Sequence, residues 1–389
     1  MRLSAGTAAV VLALLVSGCG SGPAPSEARE TAQLEGVSAL DNPTDESFPT
    51  PLIDLDDLLT GGPPPDGIPS IDEPRFDTAR TVDWLEDDEP LLSLTLGGET
   101  RGYPLRVMTW HEIVNDTVGD VPVTVTYCPL CNSGVAFERT VESEETTFGV
   151  SGFLYADNLV MYDRATESLW PQLTGVASVG VRTGLTLESI PLGTVGWDQF
   201  REAHPDALVL NRDTGHQRDY GRNPYPGYDE PGSEPLFPLP GDPSEADERL
   251  GPKTRVIGLG SDADAIAVTR AEATERGVVE VEVAGAPVTV WHLPGQTSAL
   301  DTADLADGAE IGTVATYDAR LRDRTLTFRR DGRGAVRDDT GSTWNAFGRA
   351  VSGPLAGSQL RAVKHLDTFW FAWVAFQPQT MIVGSGSGG

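Results

Sequence analysis

Cysteine and lysine are nearly missing from this sequence. Its 389 residues hold three cysteines, four methionines and five histidines, and Lys253 and Lys364 are the only lysines. Three cysteines exclude a framework of several disulfides, and also a closed zinc or iron–sulfur centre built from four thiolates. Basic residues are scarce as well. The 28 Lys and Arg stand against 58 Asp and Glu, a net charge of −30 at pH 7, with an isoelectric point near 4.3. No basic patch exists to neutralise phosphates, which excludes nucleic acid as a partner. The acidic, lysine-poor balance fits a solvated surface in very salty surroundings. No Asp or Glu run has the spacing of a calcium-binding helix–loop–helix, so these runs read as solvation. Apolar runs long enough to span a bilayer are absent too.

The longest apolar run, Ala5 to Val16, follows one basic residue and leads to Leu15-Val16-Ser17-Gly18-Cys19. This is the layout of a secretory signal, residues 1–18, ending in a sequence that resembles a lipobox. Cys19 is then the lipidated first residue of the mature protein. Residues 19–48 are rich in Ser, Pro, Glu and Ala and read as an acidic tether, disordered, with order beginning near Phe48. Residues 384–389, Gly-Ser-Gly-Ser-Gly-Gly, read as a disordered tail.

Between these ends the chain repeats itself. Ser168-Leu169-Trp170 is followed by Gly175, Ala177, Gly180, Gly184, Leu187, Ile190, Trp197 and Phe200. Ser342-Thr343-Trp344 is followed by Gly348, Ala350, Gly353, Gly357, Leu360, Val363, Trp370 and Trp373 in the same order. Upstream, Val121-Pro122-Val123-Thr124-Val125 faces Ala286-Pro287-Val288-Thr289-Val290. The strand-like alternation, the many Gly and Pro turns and the short helical stretches Leu105 to Val114 and Trp197 to His204 predict a β-rich α+β protein. The repeat predicts two tandem similar modules forming a pseudo-symmetric pair: residues 49–250 and residues 251–383.

What the second module lacks points to chemistry in the first. In the shared register Cys128 faces Leu293, Cys131 faces Gln296, His111 faces Arg276 and Glu112 faces Gly277. A pair of cysteines serving only as a staple would need a substitute in the second module, and none is present. The residues after Cys131 alternate as a strand does, so the Cys-Pro-Leu-Cys pair is expected at a strand–turn–strand corner rather than at the helix N-terminus that activates a thioredoxin-like thiol. Such a corner is similar to the knuckle of rubredoxin and zinc-ribbon sites, with both sulfurs turned toward one ion. Two thiolates with His111 and Met161 as further ligands suit a soft ion, copper or zinc.

Asp66-Gly67-Ile68-Pro69, Tyr103-Pro104-Leu105, Trp110-His111-Glu112-Ile113-Val114-Asn115-Asp116, Tyr127-Cys128-Pro129-Leu130-Cys131, Phe148-Gly149-Val150-Ser151-Gly152, Asn158-Leu159-Val160-Met161-Tyr162-Asp163 and Ser168-Leu169-Trp170 together resemble the DUF3179 family of exported bacterial and archaeal proteins. With its acidic composition and lipobox the chain resembles a haloarchaeal lipoprotein member. The resemblance implies export and brings no reaction with it. The expectation is a protein anchored by lipid at Cys19 to the outer face of the cytoplasmic membrane, handling a soft metal ion through Cys128 and Cys131. The alternatives are an extracytoplasmic thiol–disulfide oxidoreductase and a surface ligand-binding protein with a structural disulfide. No catalytic residue or protein partner is assigned from the sequence.

Overall fold

The computed structural model describes residues 37–384, apart from Pro243, Glu245 and Arg333. Cys19, the signal segment, the tether up to residue 36 and residues 385–389 lie outside the described residues. From Ser38 onward the chain forms one compact unit. Ala39 is fully buried, in a cluster with Val160, Tyr162, Leu169 and Val179. The packed chain therefore begins upstream of Phe48, because a small apolar residue fills a satellite core that composition alone does not reveal.

In the first half, strands β1 (Pro90–Leu96) and β2 (Glu99–Pro104) form a hairpin that runs directly into helix α1 (Leu105–His111). An antiparallel meander follows, β3 (Ile113–Val118), β4 (Val121–Cys128) and β5 (Ser133–Glu138). A second meander comprises β6 (Phe148–Tyr155), β7 (Asn158–Asp163) and β8 (Leu169–Pro171). Then β9 (Leu192–Gly196) pairs antiparallel with β1, helix α2 (Trp197–Ala203) follows, and β10 (Leu208–Leu210) pairs parallel with β2. The described residues between 211 and 254 are a long irregular connector.

The second half uses the same sequence of elements. Hairpin β11 (Arg255–Leu259) and β12 (Ile266–Thr269) leads into α3 (Arg270–Arg276). A meander of β13 (Val278–Val283), β14 (Ala286–Leu293) and β15 (Thr313–Asp318) is followed by β16 (Phe328–Arg330), β17 (Val336–Asp338) and β18 (Thr343–Trp344). Finally β19 (Leu366–Phe369) pairs antiparallel with β11, α4 (Trp370–Phe376) follows, and β20 (Met381–Val383) pairs parallel with β12. Among the described residues each of the α-helices α1 to α4 has seven residues. That is too short for stability in isolation, so packing holds them. No helix among the described residues is long and apolar enough to cross a membrane.

Strand β4 shows how the sequence aims the cysteines. Successive side chains point to opposite faces. Val123, Val125 and Tyr127 enter a core built mostly by the first half, to which Ala299 and Leu305 of the second also contribute, while Thr124, Thr126 and Cys128 face the other way. Cys128 joins a different core, which contains Cys131, Phe137, Met161 and Trp170 from the first half and Val256, Ala267, Phe369, Trp370 and Phe371 from the second. The thiols therefore sit where the halves meet.

Candidate functional site: a buried thiol pair

The corner that carries the pair lies between β4, which ends at Cys128, and β5, which begins at Ser133, as the alternation predicts. Asn132 closes the turn at φ 52°, a conformation that Asn tolerates better than most residues. The two sulfurs are 3.4 Å apart, unbonded and buried, with exposures of 2% for Cys128 and 0% for Cys131. The second half seals the turn from behind. The carbonyl of Cys131 accepts from Thr368 Oγ1 at 2.8 Å and from the Phe369 amide at 3.1 Å.

The hairpin between β6 and β7 closes over the sulfurs from the other side. The Leu159 amide donates to Cys128 Sγ and Asn158 Nδ2 to Cys131 Sγ, each at 3.4 Å. Cys131 Sγ contacts the carbonyl oxygen of Asp157 at 3.3 Å. Asn158 has no freedom to turn away. Its Oδ1 accepts from the Leu173 amide at 3.2 Å and its Nδ2 also donates to Gln172 Oε1 at 2.9 Å, while Gln172 is in turn held by Ser133 and Thr126. A satisfied polar network of this kind fixes the geometry around the thiols.

Two charged side chains share this interior. Asp157 is 1% exposed; its Oδ2 accepts from Tyr228 Oη and the Leu236 amide, both at 2.9 Å, and its Oδ1 is buried with no partner. Desolvation pushes its carboxyl up to about 6, against the pull of those hydrogen bonds and of Lys253. Lys253 is 1% exposed. Its Nζ donates to the Tyr228 carbonyl at 2.9 Å and lies 2.8 Å from the centre of the Tyr228 ring, a cation–π contact. Burial lowers its ammonium to about 8, although Asp157 and Cys131 favour the charged form. Burial also drives the Cys131 thiol well above the usual range, with Cys128 and Asp157 adding to the effect.

Glu112 stands out against its counterpart. Both Glu112 and Gly277 end a helix, with amide bonds to Met108 O and Ala273 O, and the carbonyl of each accepts a bond from the second strand after the helix, from the Tyr127 amide on β4 and the His292 amide on β14. Gly277 adopts φ 72° at no steric cost, whereas Glu112 holds φ 57° as a non-glycine residue. Its carboxyl is buried, has no hydrogen bond or ion pair, and is raised by desolvation to about 8. Backbone strain kept at a buried acid is a mark of a functional position.

The other expected ligands are placed as follows. His111 is fully buried, with Nδ1 2.7 Å from Pro69 O and Nε2 2.6 Å from Tyr220 Oη, so both ring nitrogens are engaged away from the sulfurs. Desolvation lowers it to about 4. Met161 is fully buried on β7 between Val150 and Trp170, as a packing member of the thiol core. Among the described residues no group of three or more His, Cys, Asp or Glu is placed to hold a metal ion. Asp157 and Lys253 were missed by sequence reading. The available signals were a two-residue hairpin turn without glycine and a lysine in a chain that has two.

A family model described as "protein of unknown function (DUF3179)" matches residues 65–380, which includes both halves and the thiol corner. The chain belongs to the DUF3179 family. No curated protein and no solved structure matches it.

Proposed function

We propose that this protein carries out thiol–disulfide exchange, with Cys128 and Cys131 as the redox pair, at the outer face of the membrane to which Cys19 anchors it. The observation that carries this reading is the pair of free, buried sulfurs 3.4 Å apart, which among the described residues are not part of any group of three or more His, Cys, Asp or Glu placed to hold a metal ion. Sulfurs at that distance need to close by about 1.4 Å to bond. A pair of this kind outside the cell, where no glutathione pool keeps thiols reduced, oxidises unless a partner recycles it. The exchange is balanced without a cofactor. Two thiols of the protein and one disulfide of a partner become one protein disulfide and two partner thiols, with two electrons passing to the partner.

The connector limits access. Tyr225, Tyr228, Phe237 and Leu239 pack against the thiol core, so a substrate reaches Cys128 when residues 211–254 move aside. The raised thiol of Cys131 and the absence of a helix N-terminus at the corner set a modest intrinsic rate. The test is turnover of a small disulfide by the reduced full chain at high salt, with elemental analysis of the same sample. Turnover lost in Cys128→Ser, from metal-free protein, supports the proposal. Stoichiometric copper or zinc that disappears in the Cys128→Ser, Cys131→Ser variant, without turnover in the wild type, replaces it with metal handling.

A further inference from the structure

We propose that Asn158 and the Leu159 amide form a cradle for thiolate charge, with Asn158 Nδ2 at Cys131 Sγ and the amide at Cys128 Sγ, which makes Asn158 a catalytic residue of the exchange. This rests on the redox reading above and names the groups that stabilise its charged sulfurs.

The donors are already in place. Asn158 Nδ2 and Leu159 N each lie 3.4 Å from one sulfur, so two consecutive residues of β7 serve one thiol each. The orientation of the Asn158 amide is fixed by groups that have a single role. The Leu173 amide can only donate, so the atom it meets at 3.2 Å is Oδ1. The Ser133 carbonyl can only accept, so Gln172 turns Nε2 to it and Oε1 to Asn158. Gln172 Oε1 takes one of the two Nδ2 hydrogens, and the other is left for Cys131 Sγ. Ala156 and Asp157, which lead into β7, hold φ 55° and 56°, where such turns ordinarily use Asn-Gly or Gly-Gly.

The half without cysteines lacks these groups. Asp163 and Asp338 are matched, since each accepts from an indole Nε1, of Trp170 and of Trp344. Counted back from those acids, Asn158 and Leu159 face Arg333 and Gly334; counted on from the tryptophans, Gln172 faces Ala346. The Gly334 amide turns back to the Asp331 carbonyl at 3.0 Å, whereas the Leu159 amide faces a sulfur.

Such donors act on charge. A hydrogen bond made to the ionised form favours it, and a donor preorganised where charge develops does so without rearrangement. Burial drives Cys131 above the usual range, Cys128 and Asp157 add to it, and the Asn158 hydrogen bond pulls the other way. The exchange runs in two parts. Cys128 Sγ, its charge facing the Leu159 amide, attacks the partner disulfide and forms a mixed disulfide; the first partner thiolate leaves and takes up the proton that Cys128 released. Cys131 Sγ, its charge facing Asn158 Nδ2, then attacks Cys128 Sγ; the mixed bond breaks, and the second partner thiolate leaves and takes up the proton that Cys131 released. The titratable groups around Cys131 are Cys128, Asp157, Tyr228 and Lys253, and the substitutions below change none of them.

The experiment mixes the reduced full chain with a small aromatic disulfide whose released thiolate absorbs visible light. The first release reports attack by Cys128; the second, with the protein free of adduct by mass, reports closure by Cys131. Asn158→Ala slows closure at least about tenfold at pH 7, raises the pH needed for a given closure rate by about one unit, and leaves the first release unchanged. Asn158→Asp keeps the shape of the side chain and the oxygen that Leu173 needs, but in either protonation state it brings at most one hydrogen, which Gln172 takes. It closes at least as slowly as the Ala variant, where a space-filling role would let it close like the wild type. Closure at the wild-type rate in either variant that folds by circular dichroism, or equal slowing of both releases, overturns the assignment. A wild type that never releases the second thiolate defeats the redox reading itself.

Discussion

Asp163, Thr166, Ser168 and Trp170 in the first half make the same bonds as Asp338, Thr340, Ser342 and Trp344 in the second. In each, the indole Nε1 donates to the Asp Oδ2 at 2.9 Å and the Thr and Ser hydroxyls are 2.9 Å apart. The corners after β4 and β14 do not agree. One carries Cys128 and Cys131, and the other Leu293 and Gln296, all buried. The contrast separates two kinds of residue. Those that hold a half together recur in both, while Cys128, Cys131, Glu112 and Asp157 occur once and bring burial, strain or unpaired acid with them.

The largest expected effect tests the shared part. Trp170→Ala and Trp344→Ala each remove a buried indole and leave a buried carboxylate oxygen short of a donor. Each should cost about 3–5 kcal/mol, read by denaturant unfolding at high salt. A loss confined to one of them breaks the equivalence.

Glu112 comes next and tests the unshared part. Its folded pKa, about 8, lies above the ordinary carboxylate value of 4.5. The folded protein therefore holds a proton that the unfolded chain has released, and stability falls as pH rises between those two values. Glu112→Gln keeps the positive φ but removes the ionisation. It should gain about 3 kcal/mol at pH 7 and little at pH 4.5. A gain that does not grow with pH over that window contradicts the assignment.

Smaller effects sharpen the same comparison. Gly175 and Gly348 have φ 65° and 68°, and a Cβ at either would strike the ring of Phe137 or of Tyr317. Changing either to Ala should cost about 1–3 kcal/mol, with like values for the two in thermal or chemical unfolding. Cys128→Ser should cost about 1 kcal/mol and leave the fold intact by circular dichroism, because the half without cysteines folds the same way. Unfolding by that change would show the pair to be a structural staple.

The β-rich character, the short helices and the strand–turn–strand corner of the thiols were legible because they rest on local pattern: Gly and Pro turns, and alternation along β4 and β5. The surroundings of the thiols were not. Asp157 comes up to Cys131 from a hairpin and Lys253 is buried against Tyr228 from the end of the connector, both far away in sequence, and burial rather than residue type sets their chemistry. His111 precedes the cysteine strands in the chain, but the end of α1 turns its ring toward Pro69 and Tyr220. Sequence spacing gives no warning of such a turn. Met161 lies near the thiols in the same core, where strand pairing accounts for it as packing.

The central claim is that Cys128 and Cys131 cycle between dithiol and disulfide while the rest of the fold stays fixed. Equilibration of the full chain in graded dithiol–disulfide buffers, with the free thiols counted by alkylation and mass, tests it most directly. The account predicts one reversible two-electron transition, absent from Cys128→Ser and from Cys131→Ser, with unchanged circular dichroism on both sides. Thiols that stay reduced across the whole range, or a disulfide that forms once and never reopens, would contradict it.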